Sequence, residues 1–118
     1  MTPSQHLDAT FAALADPTRR AILARLTRGD ASVAELAKPF AMSQPAISKH
    51  LKVLEHAGLI SAVQNAQRRP RRIEGVRLGE ATAWLEKYRQ LWEGRYRALD
   101  ELLDEMQAKP PKSKRKRH

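Results

Sequence analysis

Ser43-Gln44-Pro45-Ala46-Ile47-Ser48-Lys49-His50-Leu51-Lys52-Val53-Leu54-Glu55-His56-Ala57-Gly58 is the stretch on which the fold turns. Ser43 is a strong helix N-cap, because its hydroxyl can accept one of the backbone N–H groups that the first turn leaves unpaired. Pro45 falls inside that first turn, where its missing N–H costs nothing. Gly58 suits the end of the same helix. On a wheel of 100° per residue, Ile47, Leu51 and Leu54 fall together, flanked by Ala46, His50 and Val53. Pro45, Ser48, Lys49 and Lys52 fall on the opposite side, with Gln44 at its edge. One side is a stripe for a core, and the other carries small polar groups and two positive charges. An ordinary solvated helix can look the same, so the neighbouring segments have to decide its use.

Working upstream, Ser32-Val33-Ala34-Glu35 is a capping-box pattern that predicts a short helix carrying Val33 and Leu36 inward. Pro39 disfavours helical backbone at Lys38 and predicts an early stop. Two short helices with a tight connection form a helix-turn-helix candidate. Before them, Asp16 as N-cap and Pro17 at the first position predict a helix through Ile22, Leu23 and Leu26, broken at Gly29-Asp30. Leu7, Thr10, Phe11 and Leu14 predict one more helix over 7–14. Downstream, residues 59–63 have strand character, and Ile73, Val76 and Leu78 alternate loosely. This predicts a hairpin whose tip is Asn65-Ala66-Gln67-Arg68-Arg69. A long amphipathic helix is predicted from Glu80 to Met106, ended by Lys109-Pro110-Pro111. The expected fold is mainly α with a small β-hairpin, in one domain over 1–106, followed by a disordered basic tail over 107–118.

The charge distribution points to a nucleic-acid partner. The 118-residue chain carries a formal charge of +9, but six of its Lys/Arg residues lie in the last ten positions. Without those, 16 basic groups face 13 acidic ones. Residues 38–77 hold eight basic and two acidic groups, whereas 78–108 hold four basic and seven acidic. The middle of the chain is therefore locally positive, which is what a phosphate backbone attracts. Arg68, Arg69, Arg71 and Arg72 cluster about the predicted hairpin tip with Pro70 among them, placed to clamp phosphates or enter a minor groove. Beside them, the Ser43–Lys49 face suits a major groove: small side chains allow close approach, an amide or hydroxyl reads base edges, and lysines meet phosphates. The expected contacts to double-stranded DNA are Ser43, Gln44, Pro45, Ser48, Lys49, Lys52, Arg68, Arg69, Arg71 and Arg72.

Ala15-Asp16-Pro17-Thr18-Arg19-Arg20-Ala21-Ile22-Leu23, together with Ser43 through Ile60, resembles signature segments of the ArsR family of bacterial winged helix-turn-helix repressors. The resemblance runs from about Leu7 to Met106. It implies a homodimer, joined through its first and last helices, that binds an inverted-repeat operator and represses, with affinity lowered by a small-molecule or protein effector of unidentified chemistry. It also implies that the arginine loop is the wing, although the loop departs from the family's usual glycine-containing wing tip. Many members sense metals through cysteines. This chain has none, with Ser32 and Ala34 where the third-helix cysteines of metal sensors would lie, so the expected subgroup lacks the metal-binding motif.

The last helix repeats Leu85, Tyr88, Trp92, Leu99 and Leu102 at close to heptad spacing, with Tyr96 beside the break at Arg95. Both tryptophans and both tyrosines fall in it, which favours an interface over a monomer core. The expected dimer contacts are Phe11, Leu14, Leu85, Tyr88, Trp92, Tyr96, Leu99 and Leu102. No cofactor, metal site or membrane association is expected: no two of the histidines at 6, 50, 56 and 118 are three or four residues apart, and no apolar run approaches about 20 residues. No nucleophile motif or phosphate-cradling glycine loop points to an enzyme. The absence of cysteine and of a signal segment predicts a cytoplasmic protein, nucleoid-associated when bound. Arg19 and Arg20 could touch phosphates, but the favoured expectation pairs them with Asp100, Glu101, Asp104 and Glu105 of the last helix. The alternative function is a winged-helix module for protein assembly, or an architectural DNA binder without sequence preference.

Overall fold

Four helix starts can be traced to a side chain that satisfies a first-turn N–H group. In the computed structural model, which describes residues 1–64 and 67–107, helix α1 spans Pro3–Leu14. It begins four residues earlier than expected from Leu7, because Thr2 and Gln5 form a reciprocal capping box ahead of the apolar stripe. Helix α2 (Pro17–Leu26) starts as the sequence indicates, with Asp16 Oδ2 accepting from the Arg19 N–H at 3.0 Å. Helix α3 (Val33–Ala37) carries both bonds of the Ser32–Glu35 capping box, at 3.2 and 2.9 Å.

Pro39 does not force Lys38 out of helical backbone as expected. Lys38 is helical (φ −51°, ψ −54°), and the chain tightens into a 3₁₀ turn over Lys38–Phe40. Pro39 sits in the first turn of this short segment, where no N–H bond is forfeited. Ala41 then takes left-handed backbone (φ 52°, ψ 34°) and turns the chain toward α4 (Gln44–His56). Ser43 caps α4 through Ala46 N–H at 3.3 Å, and Gly58 follows it with φ +77°.

Strands β1 (Ile60–Ala62) and β2 (Arg71–Ile73) pair antiparallel, with Ser61 opposite Arg72. Ala31 adds a bridge on the outer side of β2, exchanging two backbone hydrogen bonds with Arg71 at 2.7 and 3.2 Å. The second strand therefore ends at Ile73, and Val76 and Leu78 belong to helix α5 (Gly75–Gln107), which starts five residues before the expected Glu80. The reason is spacing: Leu78 packs on the core and Ala81 is buried, three residues apart on one helical side, while Val76 faces solvent. The hairpin tip at Asn65 and Ala66 and the expected basic tail beyond Gln107 lie outside the described residues.

The core gathers Ile22, Leu23 and Leu26 from α2, Leu36 from α3, Ile47, Leu51 and Leu54 from α4, and Leu59 and Ile60 from the strand entry. The three α4 residues are at most 1% exposed. Burying each such side chain contributes about 1.5–3 kcal/mol, so the apolar stripe fixes which side of α4 faces out. The chain forms two compact units, Met1–Ala83 and the segment from Trp84 onward. In the second, helix α5 presents its apolar residues to solvent.

Candidate nucleic-acid interface

Because Ile47, Leu51 and Leu54 are anchored, the opposite side of α4 is presented outward. Gln44, Pro45, Lys49 and Lys52 are exposed and Ser48 is half-buried. Ser43 is exposed too, with its hydroxyl accepting the cap bond, which leaves its O–H free to donate. The N-terminal half of α4 thus offers an amide, two hydroxyls and, one and two turns on, two ammonium groups, with no acid on that side before Glu55.

The four arginines of the expected wing cluster divide into two pairs. Arg68 and Arg69 are exposed, and Arg69 holds left-handed backbone at φ 43°. Arg71 is drawn in: its side chain is only 15% exposed, its Nε donates to Glu55 Oε1 at 3.2 Å, and its Nη1 donates to the Arg69 carbonyl. Arg72 forks onto Asp30, with Nη2 and Nε donating to Oδ2 at 2.9 and 3.2 Å, and that partner holds its guanidinium more firmly charged than usual. Sequence reasoning placed all four alike and missed both acids. Glu55 is 16 residues from Arg71 and Asp30 is 42 from Arg72, so no local pattern links them. Glu74, the acid nearest the cluster in sequence, accepts instead from the Ser61 hydroxyl at 2.5 Å.

Arg19 Nε and Nη2 donate to the carbonyls of Ala13 and Ala12 at 2.6 and 3.1 Å, and Arg20 Nη1 donates to Leu14 at 2.7 Å. These carbonyls lie in the last turn of α1, where Ala12 also accepts from the Ala15 N–H at 3.2 Å, and guanidinium groups from the next helix supply further donors. Arg19 Nη1 also lies 3.4 Å from His50 Nδ1, and His50 lies 3.8 Å from Asp16, which ties α4 to the α1–α2 corner. The Arg19 N–H bond holds the Asp16 carboxyl below its ordinary pKa against the opposing effect of burial, with smaller contributions from His50 and the Arg19 charge.

Of the expected dimer residues, Phe11 and Leu14 are half-buried on α1. Leu85, Tyr88, Trp92, Tyr96, Leu99 and Leu102 are exposed by 45–61%. Trp84, Tyr88, Trp92 and Tyr96 follow one another at four-residue intervals, with successive ring centroids 5.2, 6.2 and 5.8 Å apart.

A helix-turn-helix whose second helix turns a polar side outward, flanked by a two-stranded hairpin, defines a winged helix-turn-helix domain. Comparison with known proteins agrees. A model described as a helix-turn-helix domain matches residues 14–62. The crystal structure of the ArsR family transcriptional regulator RHA00566 superposes with a TM-score of 0.69 at 46% identity, over 76% of this chain and 93% of that one. The HTH-type transcriptional regulator Rv2034 of Mycobacterium tuberculosis is 53% identical over 53 residues, 45% of this chain and 50% of its own. The transcriptional repressor SdpR of Bacillus subtilis is 44% identical over 57 residues, 48% of this chain and 63% of its own. The matched region thus spans between half and two thirds of those two curated relatives. The chain belongs to the ArsR family of transcriptional regulators.

Proposed function

We propose that this protein is a homodimeric, sequence-specific repressor that binds an inverted-repeat operator in double-stranded DNA. The observation that carries the reading is the outward polar side of α4, with Gln44, Ser48 and Lys49 set in the same domain as the exposed Arg68 and Arg69. In this reading Gln44 and Ser48 meet base edges, Lys49 and Lys52 meet phosphates, and Ser43 and Pro45 let the helix approach closely. The matches to a named repressor and to an ArsR family regulator support the regulatory role.

Dimerisation follows from the α5 stripe. A contiguous aromatic and aliphatic surface of this kind is expensive to leave in water, and a second copy covers it symmetrically. Leu85, Tyr88, Trp92, Tyr96, Leu99 and Leu102 form the proposed contact, with Phe11 and Leu14 joining from α1. Two reading helices then sample half-sites about one helical turn, roughly 10 base pairs, apart. Among the described residues no helix is long and apolar enough to cross a membrane. The proposed place of action is the cytoplasm, at the nucleoid, and an effector, where one acts, would be a small molecule or a protein.

Selection of bound duplexes from a random pool tests the reading. The expected result is a motif with two-fold symmetry and that half-site spacing. Equal affinity of the purified protein for selected and random duplexes at physiological salt would refute it.

A further inference from the structure

Two acids sit against the most cationic part of the domain, each paired with an arginine of β2. Each faces a phosphate polyanion in the proposed complex and should weaken it. The more exposed of the two pairs, Arg72–Asp30, contributes little to folding. Both Asp30 and Glu55 have side chains 36% exposed. Their placement is specific. Glu55 closes the C-terminal turn of α4, and Asp30 lies in the connection between α2 and α3, so the two pairs grip β2 from opposite flanks.

We propose that Glu55 and Asp30 are positioning residues for DNA recognition, locking the wing in register with the reading helix through Arg71 and Arg72. Arg71 is the node. Its backbone exchanges hydrogen bonds with Ala31, its Nε holds Glu55, and its Nη1 holds the carbonyl of Arg69. One guanidinium therefore connects the end of α4 to the residue that carries the wing's exposed charge. Arg72 clasps Asp30 on the other flank, and the Val63 N–H donates to the Pro70 carbonyl at 2.8 Å above the strands. The acids keep two arginines away from phosphate so that Arg68 and Arg69 reach it from a fixed base. Recognition by a contact shell depends on such support, since a loosely held cation binds every sequence equally well.

The inference rests on the proposed DNA reading, and its test separates the two. Affinities for the selected duplex and for a random duplex are measured with the full chain as wild type, Glu55→Gln, Arg71→Gln and the double variant. Asp30→Asn is measured alongside. Amide hydrogen exchange is followed without DNA. The positioning role predicts that Glu55→Gln lowers the ratio of selected to random affinity by about fivefold even though it removes a negative charge. Arg71→Gln should lower it similarly, and the double variant no further. Exchange of the Val63 and Arg71 amides should quicken in Glu55→Gln with the thermal midpoint nearly unchanged. Tighter binding of Glu55→Gln to both duplexes alike, additive losses in the double variant, or unaltered amide exchange would each overturn the positioning role. A wild type that binds selected and random duplexes equally removes the DNA reading, and this inference with it.

Discussion

Lys49 and Gln44 lie on the same exposed side of α4 but are proposed to do different things, and removing each in turn separates positioning from reading. Lys49, Lys52, Arg68 and Arg69 are exposed cations on α4 and the wing, and they are the four proposed to meet phosphate. If each meets one phosphate, the four contacts of a protomer contribute a slope of log affinity against log salt of about −3.6, or about −7 for the dimer. Between about 50 and about 200 mM salt, these contacts alone account for a weakening of about 10⁴-fold. Lys49→Ala removes one phosphate contact per protomer and should flatten the dimer's slope by about 1.8 on every duplex, selected or random. Gln44→Ala should leave the slope unchanged. It should instead relax preference at one base pair of each half-site, where a bidentate amide contact is worth about 1–3 kcal/mol of discrimination. Fluorescence anisotropy titrations of a labelled duplex across that salt range measure both quantities. The basic tail is common to all variants and cancels in the differences. An unchanged slope in Lys49→Ala, or a flattened slope with intact base preference in Gln44→Ala, would show that the outward side of α4 does not face DNA as argued.

Placing a charge in the α5 stripe, as in Leu99→Asp with Trp92→Ala, should raise the dimer dissociation constant by at least about 100-fold in sedimentation equilibrium, since interface aromatics carry most of the binding energy. Gly58→Ala should destabilise the fold by about 1–2 kcal/mol in a thermal melt, because Gly58 sits at φ +77° and an added Cβ would meet Arg77 Cγ at 3.2 Å. Asp16 and Glu35 both have depressed pKa values, Asp16 chiefly from the Arg19 N–H and Glu35 chiefly from the Ser32 N–H and then its hydroxyl. The stability they contribute is full above the ordinary carboxylate range and is lost as pH falls through their lower folded values. Thermal midpoints followed from about pH 6 to about pH 2 should therefore fall less steeply in Asp16→Asn/Glu35→Gln than in wild type.

The helical frame was legible because its signals are local. Asp16, Ser32 and Ser43 each precede an apolar stripe by one turn, and each caps the helix it announces. The stripe of α4 was equally legible, since three residues at helical spacing admit only one buried side. Errors arose where two periods compete over a short span. Ile73, Val76 and Leu78 satisfy loose alternation, yet Leu78 and Ala81 satisfy helical spacing, and only the end of the β1–β2 ladder decides between them. At Glu74 that ladder closes, its N–H donating to the Leu59 carbonyl at 2.8 Å, and the helix begins at the next residue.

The arginine run shows a deeper limit on local reading. In sequence Arg68, Arg69, Arg71 and Arg72 are four copies of one charge, but the fold gives them three different tasks. Which task falls to which residue depends on strand alternation and on acids brought in from elsewhere. Arg71 and Arg72 are neighbours in β2 and point to opposite faces, so they meet different partners, Glu55 and Asp30. Arg69 occupies left-handed backbone, which glycine adopts freely and an arginine adopts at a cost of about 1–2 kcal/mol. A glycine there would relieve that strain and give up the charge. Arg71 offsets part of the cost by donating to the Arg69 carbonyl. A strained cation at the wing, held from below by a guanidinium that is itself held by the reading helix, is an arrangement that stability alone would not favour. It makes sense where the position of that charge is what the domain has to control.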